Sequence, residues 1–230
     1  MPIDALLFDM DGVLVDTEPL HEEATRRILQ HYSLPVPDGL FDRFRGRPDR
    51  TLFAERLDAS RDSAADVPTL VRKKAEIYDA LIDDLTPRPG IPDLLRFLSE
   101  RSIPRACVTS ATRTDQRAVF EQCGFDARFD AVVTADDVER GKPHPEPYRR
   151  GAGLLDVNPN RCCVVEDSPY GIRAAVDAGC TAVGVPTSFA AAELRDAGAT
   201  FVADTSSALQ QWLADRLRDP SQPPIDRGRH

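Results

Sequence analysis

From Gly90 onward the chain alternates short apolar runs with amphipathic stretches, and this rhythm restricts the possible fold more than any other feature of the sequence. Helical spacing predicts helices over Ile91–Glu100, Thr114–Cys123, Pro147–Leu155 and Pro169–Ala178. Between and after them lie the strand-like runs Arg105–Thr109, Ala131–Thr134, Cys162–Glu166 and Thr181–Val185, with a further short strand over Thr200–Ala203. Continuous apolar strands separated by helices belong to a parallel sheet covered on both faces. The expected fold is therefore α/β, a doubly wound parallel sheet. Ligands of such sheets bind beyond the carboxyl ends of the strands. Asp9, Thr109, Asp136 and Asp167 all stand at or just past such ends.

The first strand is announced by Ile3-Asp-Ala-Leu-Leu-Phe-Asp-Met-Asp-Gly12. Leu6, Leu7 and Phe8 read as a short buried strand, and Asp9 and Asp11 follow at once. Residues i and i+2 of an extended chain point to one side, so the two carboxylates can converge. Like charges that close repel unless a cation or a shared proton compensates them. A hard divalent ion such as Mg²⁺ suits an all-oxygen site of this kind. Asp-x-Asp-Gly at a strand end is also an ordinary turn signal, and taken alone these residues do not decide between the two.

Residues 17–88 break the strand rhythm. Spacing predicts helices over Glu18–Tyr32, Phe41–Phe44, Thr51–Leu57 and Thr69–Leu85, the last with Leu70, Val71, Ile77, Leu81 and Ile82 on its apolar side. An all-helical segment inserted after the first strand is expected to form a small domain of its own. Pro87, Pro89 and Gly90 mark the return to a core made of residues 1–16 and 89–218. The tail 219–230, rich in Pro, Asp and Arg, is expected to be disordered.

Composition limits the partners. A net charge of −9 argues against sequence-independent nucleic-acid binding, which needs clustered Lys and Arg. The sequence has neither a membrane-spanning apolar run nor the segments of a signal peptide, so a cytoplasmic monomer is the default expectation. The five cysteines, Cys107, Cys123, Cys162, Cys163 and Cys180, form no Cys-x-x-Cys pair and are expected to be reduced and structural.

Three further stretches carry chemical groups. Thr109-Ser110 ends a strand, where a hydroxyl and free amides can hold phosphate oxygens, although Ser110 or Thr112 could equally cap the next helix. Lys142 lies in Gly-Lys-Pro-His-Pro-Glu-Pro-Tyr; a lone lysine is ordinarily a solvated charge. Glu166-Asp167 ends a buried strand ahead of Ser168 and Pro169, so it can serve a site, begin a helix, or do both.

The run Phe-Asp-Met-Asp-Gly-Val-Leu-Val-Asp-Thr-Glu-Pro19 closely resembles the first motif of the haloacid dehalogenase superfamily, in the branch of β-phosphoglucomutases, phosphoglycolate phosphatases and small sugar phosphatases. Residues 109–110, 141–148 and 164–171 resemble its second, third and fourth motifs in the right order, and the likeness extends over about residues 3–205. The resemblance implies that Asp9 is a nucleophile forming an aspartyl-phosphate and that Asp11 is the general acid and base. It further implies that Thr109 and Ser110 contact the phosphoryl group and that Lys142 neutralises charge there. Mg²⁺ would be bound by Asp9, the Asp11 carbonyl and Asp167, with Glu166 a ligand or a supporting group. The helical insert resembles the cap of these enzymes.

Within the insert, Thr17-Glu-Pro-Leu-His21 resembles the mutase stretch whose histidine positions the sugar. Gly46 and Lys74 fall where cap residues face the substrate, and Arg47 or Arg50 is a candidate grip for a second acidic group. Two departures matter: Thr25 stands where the mutases carry an aromatic residue, and Gly46–Thr51 only partly follows their loop. The expectation is a Mg²⁺-dependent phosphatase of small phosphorylated sugars or related metabolites, with a β-phosphoglucomutase-type mutase as the alternative. A dehalogenase would not need Asp11, and a module without turnover would not need Asp9, Asp11, Lys142 and Asp167 together.

Overall fold

The structure, a computed structural model, describes residues 2–44, 49–60 and 65–217. Gly46, Arg47 and the tail 219–230 lie outside them. Six strands, β1 (Ala5–Phe8), β2 (Arg105–Val108), β3 (Ala131–Val133), β4 (Cys162–Glu166), β5 (Thr181–Gly184) and β6 (Phe201–Val202), form one wholly parallel sheet in the order β3-β2-β1-β4-β5-β6. The chain builds outward from β1 through β2 to β3, then crosses to lay β4 on the other side of β1. Strand order therefore reverses between β1 and β4, and connections leaving these two strands diverge and open a crevice at their carboxyl ends.

Among the described residues of the insert that follows β1 are four helices, α1 (Glu18–His31), α2 (Leu40–Phe44), α3 (Asp49–Asp58) and α4 (Val67–Leu81). Their shared cluster of Ile28, Leu29, Leu34, Leu40, Phe44, Leu52, Phe53 and Leu70 is separate from those on the sheet. α4 starts two residues earlier than the spacing predicts because Asp66 accepts from the Thr69 amide at 2.9 Å, with Pro68 in the first turn. It also stops early, at Leu81, where a 3₁₀ turn over Ile82–Asp84 takes over. Its buried residues Leu70, Lys74 and Tyr78 recur every four positions, so the face turned inward carries two polar groups as well as the leucine. The segments into and out of the insert run side by side: Val15 and Pro87 bridge, and the Arg88 amide donates to Leu14 O at 2.9 Å.

Side chains alternate across the sheet, as the two-residue period demands. Leu6, Phe8, Cys107, Cys163, Val165 and Val183 face one side, covered by α5 (Ile91–Glu100), α6 (Arg113–Cys123) and, after β6, a C-terminal helix over Ser206–Ala214. Leu7, Ala106, Val108, Val164 and Ala182 face the other, covered by α7 (Glu146–Leu154), α8 (Pro169–Ala178) and α9 (Ala191–Asp196). The C-terminal helix is α10. Neither α9 nor α10 is foreseen from the sequence; both are short, and α9 opens on Ala191 and Ala192, which show no apolar face. All five cysteines are free thiols, four of them buried. No described helix is long and apolar enough to cross a membrane.

Candidate active site

Asp9 follows β1 directly, and its amide donates to Val165 O of β4 at 3.0 Å, carrying the sheet pairing into the crevice. Glu166 is the last residue of β4, and Asp167 comes next. These three carboxylates are buried, and one oxygen from each lies within 4.8 Å of the others. Lys142 enters from the loop ahead of α7, through a cis Lys142–Pro143 peptide. Its Nζ donates to Asp9 Oδ1 at 2.8 Å, to Glu166 Oε1 at 2.8 Å and to Val108 O at 3.0 Å, which uses all three ammonium protons.

Glu166 is the most heavily bonded acid of the set. Besides Lys142, Oε1 accepts from the Tyr148 hydroxyl at 2.9 Å, while Oε2 accepts from the Asp167 amide, the Ser168 amide and the Ser168 hydroxyl, each at 2.9 Å. These contacts fill the roughly four lone-pair positions of a carboxylate. The first turn of α8 presses on the same group: a Cβ at Gly171 would sit 1.7 Å from Glu166 Oε1, so that turn must be glycine. Ser168 also caps α8, accepting from the Gly171 amide at 3.0 Å, with Pro169 in the first turn. Site and helix start are thus built from the same residues.

Charge does not balance within this cluster. Burial, together with the neighbouring Glu166, Asp167 and Asp11, pushes Asp9 well above the usual carboxylate range although Lys142 pulls the other way. Burial and then Glu166 push Asp167 up to about 7, against the hydrogen bonds of Ser188 and Thr187. Burial raises Glu166 most, yet the Lys142 charge and the hydrogen bonds from Lys142, Ser168 and Tyr148 together hold it low. Lys142 is buried too, but Asp9 and Glu166 keep it firmly protonated. With all three buried acids ionised, one ammonium leaves two excess negative charges, which a divalent cation on oxygen ligands would cancel. The donor set therefore fits a hard metal ion. Asp9 is hydrogen-bonded through Oδ1 and Asp167 through Oδ2, and the second oxygen of each makes no such bond among the described residues.

Asp11 points to the other side of the crevice. Thr17 donates to its Oδ1 at 2.6 Å, and Thr109 to its Oδ2 at 3.5 Å. Thr109 is buried and Ser110 exposed at the end of β2; the cap of α6 is Thr112, which accepts from the Asp115 amide at 3.2 Å. The Thr109–Ser110 pair is therefore not needed to cap the helix. Asp136 does not join the site: it is exposed and accepts from the Arg113 amide at 2.8 Å.

Among the cap candidates, His21 stacks on Tyr78 with ring centroids 4.2 Å apart and 10° between planes, and Tyr78 in turn interacts with Thr17. The His21 Nδ1 atom is enclosed without a hydrogen-bond partner. Burial, with the Lys74 charge second, holds this imidazole below its ordinary 6.5. Lys74 is only 4% exposed, and its Nζ donates to Asp49 Oδ1 at 2.5 Å, so its charge is already matched. Arg50 is exposed on α3, and Thr25 is buried on α1. Sequence reasoning did not assign Tyr148, Tyr78, Thr187 or Ser188. The last two come shortly after β5, past Val185 and Pro186, whereas Thr109 was singled out by following its strand directly.

A pH dependence follows from His21. The unfolded chain takes up a proton near 6.5, whereas folded His21 does so only at lower pH, so the folded state loses stability as pH falls below 6.5. His21→Gln is expected to flatten the fall of the thermal midpoint between pH 6.5 and roughly pH 5. A slope that survives the substitution would assign the proton uptake to another group.

A doubly wound sheet with its acids gathered where strand order reverses is the architecture of haloacid dehalogenase-like proteins. A match to the haloacid dehalogenase-like hydrolase family spans residues 3–179, and the chain belongs to that family. A phosphorylated carbohydrates phosphatase of Thermotoga maritima is 34% identical over 181 residues, covering 77% of this chain and 82% of its own. The β-phosphoglucomutase of Bacillus subtilis is 30% identical over 188 residues, covering 79% of this chain and 82% of its own. The crystal structure of CbbY from Rhodobacter sphaeroides in complex with phosphate matches with a TM-score of 0.78 at 29% identity, over 90% of this chain and 96% of that one.

Proposed function

We propose that this protein is a Mg²⁺-dependent phosphatase of small phosphorylated sugars or related metabolites, acting through an aspartyl-phosphate on Asp9. The observation that carries the reading is Asp9 fixed against a buried Lys142 while Asp11 is held separately beside it. Mg²⁺ would be held by Asp9, the Asp11 backbone carbonyl and Asp167, and Glu166 can join only by giving up one of its five hydrogen bonds. When bound, the ion supplies positive charge against the phosphate and the acids.

The rest is the work of the chain's own side chains. Asp9 attacks phosphorus with the oxygen that Lys142 does not hold, and the bond to the leaving oxygen breaks. Asp11, gripped through one oxygen by Thr17, gives a proton to the leaving oxygen and later takes one from water. Thr109, Ser110 and Lys142 stabilise charge on the equatorial oxygens. We read residues 17–88 as a cap over a core of residues 1–16 and 89–218. The enzyme is read as a cytoplasmic monomer that engages a small metabolite and neither nucleic acid nor membrane.

A sugar phosphomutase is the second reading, favoured by His21 and by the likeness to the B. subtilis enzyme. Two features support hydrolysis instead. Thr25 offers no ring for stacking on a sugar, and Lys74, already matched by Asp49, adds no net charge for a second phosphate. Gly46 and Arg47 lie outside the described residues and carry no weight here; Arg50 remains a candidate grip for an acidic group.

The deciding experiment is inorganic phosphate release from a panel of sugar and small-metabolite phosphates with Mg²⁺, with Asp9→Asn as the blank. The panel includes β-glucose 1-phosphate, with and without a trace of bisphosphate, followed for glucose 6-phosphate. Release that vanishes in the variant is the expected result. Isomerised sugar phosphate with little release would make it a mutase, and silence on both would make it a binding module.

A further inference from the structure

After β5 the chain turns back toward the crevice through Pro186, Thr187 and Ser188, pinned by the Val185 amide on Glu166 O at 2.8 Å. Thr187 Oγ1 donates to Gly12 O at 2.7 Å and lies 3.2 Å from Asp167 Oδ2. Ser188 Oγ donates to the same Asp167 oxygen. Neither contact is a local turn: Gly12 is 175 residues from Thr187, and Asp167 is 20 and 21 residues from the two hydroxyls. The fit is close, since a Cβ at Gly12, whose φ is +75°, would lie 1.9 Å from Asp167 Oδ2 and 3.0 Å from Ser188 Oγ.

We infer that Thr187 and Ser188 are positioning residues for the divalent metal ion. Ser188 holds Asp167 by Oδ2 and leaves its other oxygen free for the ion, and Thr187 ties the Asp11–Gly12 loop to the Glu166–Asp167 loop. Groups that fix a metal ligand from behind commonly matter about 10–100-fold in metal affinity. Thr187 has one hydroxyl proton and spends it on Gly12 O, so the firm donor to Asp167 is Ser188. The roles therefore divide: Ser188 orients the ligand, and Thr187 sets the distance between the two loops. Both side chains line an open cleft, not the apolar core, so removing either hydroxyl leaves the packing in place. The inference rests on the reading of Asp9 and Asp167 as the Mg²⁺ site.

The test is calorimetric titration with Mg²⁺ alone, without substrate, on the full chain and on Ser188→Ala, Thr187→Val, Thr187→Ser and Asp167→Asn. Ser188→Ala and Thr187→Val are expected to raise the Mg²⁺ Kd by roughly tenfold or more, while Thr187→Ser stays near the parent value. The Mg²⁺ needed for half-maximal phosphate release should rise in parallel, with kcat at saturating Mg²⁺ within about threefold of the parent. A merely structural role would instead lower the metal-free thermal midpoint and kcat together, leave Kd unmoved, and overturn the inference. Unchanged Kd in both variants, with binding lost in Asp167→Asn, overturns this inference and spares the metal site. A parent protein that binds no Mg²⁺ overturns both.

Discussion

Asp9→Asn is expected to lower phosphate release by roughly four orders of magnitude or more, because an amide cannot take the nucleophile's part and no other described group stands in its place. The same change should not cost stability. Burial and three neighbouring carboxylates make an ionised Asp9 unfavourable in the metal-free protein, and Lys142 relieves only part of that. Asparagine keeps the shape and removes the charge, while Lys142 retains Glu166 and Val108 O. The metal-free thermal midpoint near pH 8 is therefore expected to hold or rise, even as activity disappears. Calorimetry beside a phosphate-release assay checks both halves. A variant that is inactive because it unfolds would remove the support for Asp9 as nucleophile, and one that stays active would refute it.

Lys142→Met is expected to fail in the opposite way, losing stability as well as activity. The ammonium is enclosed between Asp9 and Glu166, 2.8 Å from each, and without it both acids are buried unpaired. Removing one partner of a buried ion pair commonly costs about 3–5 kcal/mol. Glu166 keeps Tyr148, Ser168 and two amides, so part of its compensation survives. Urea denaturation of Lys142→Met, Glu166→Gln and the double variant measures the coupling. The double variant should be more stable than Lys142→Met alone, since Gln removes the stranded charge. A loss of under about 1 kcal/mol in Lys142→Met would mean that solvent or a protonated acid already compensates the site.

The fold was legible because its signals are local and periodic. Leu6 to Phe8, Arg105 to Val108 and Cys162 to Glu166 are continuous apolar or buried runs, and the structure pairs them in register around β1. Ends moved by one to four residues where caps decide, as at Asp66 for α4. α9 and α10 carry too little periodic pattern to be read. In the site, Asp9, Glu166 and Asp167 were found from their positions at strand ends and Lys142 from the resemblance carried by its flanking residues, and the four converge. What could not be read were partnerships set by packing. Lys74 meets Asp49 across 25 residues and two helices, so a residue placed at the substrate on resemblance is also half of a buried pair. Tyr148 looks like one more apolar residue of α7 until Glu166 is found on its hydroxyl.

The placement of β1 between strands from distant parts of the chain has a consequence for how activity appears during synthesis. Thr109 and Asp11 are 98 residues apart, Lys142 and Asp9 133, and Thr187 and Gly12 175. Contacts of such separation close large loops and form late in folding. At about 5–20 residues per second of translation, Asp9 emerges on the order of ten seconds before Lys142 has been made. Until then the nascent chain carries Asp9 and Asp11 without the lysine that pairs with Asp9, so a ribosome-bound fragment of this length is expected to be catalytically blank. With Asp9 as the proposed nucleophile, turnover would report on the finished topology, and a truncation ahead of Lys142 is expected to silence it while leaving Asp9 in place.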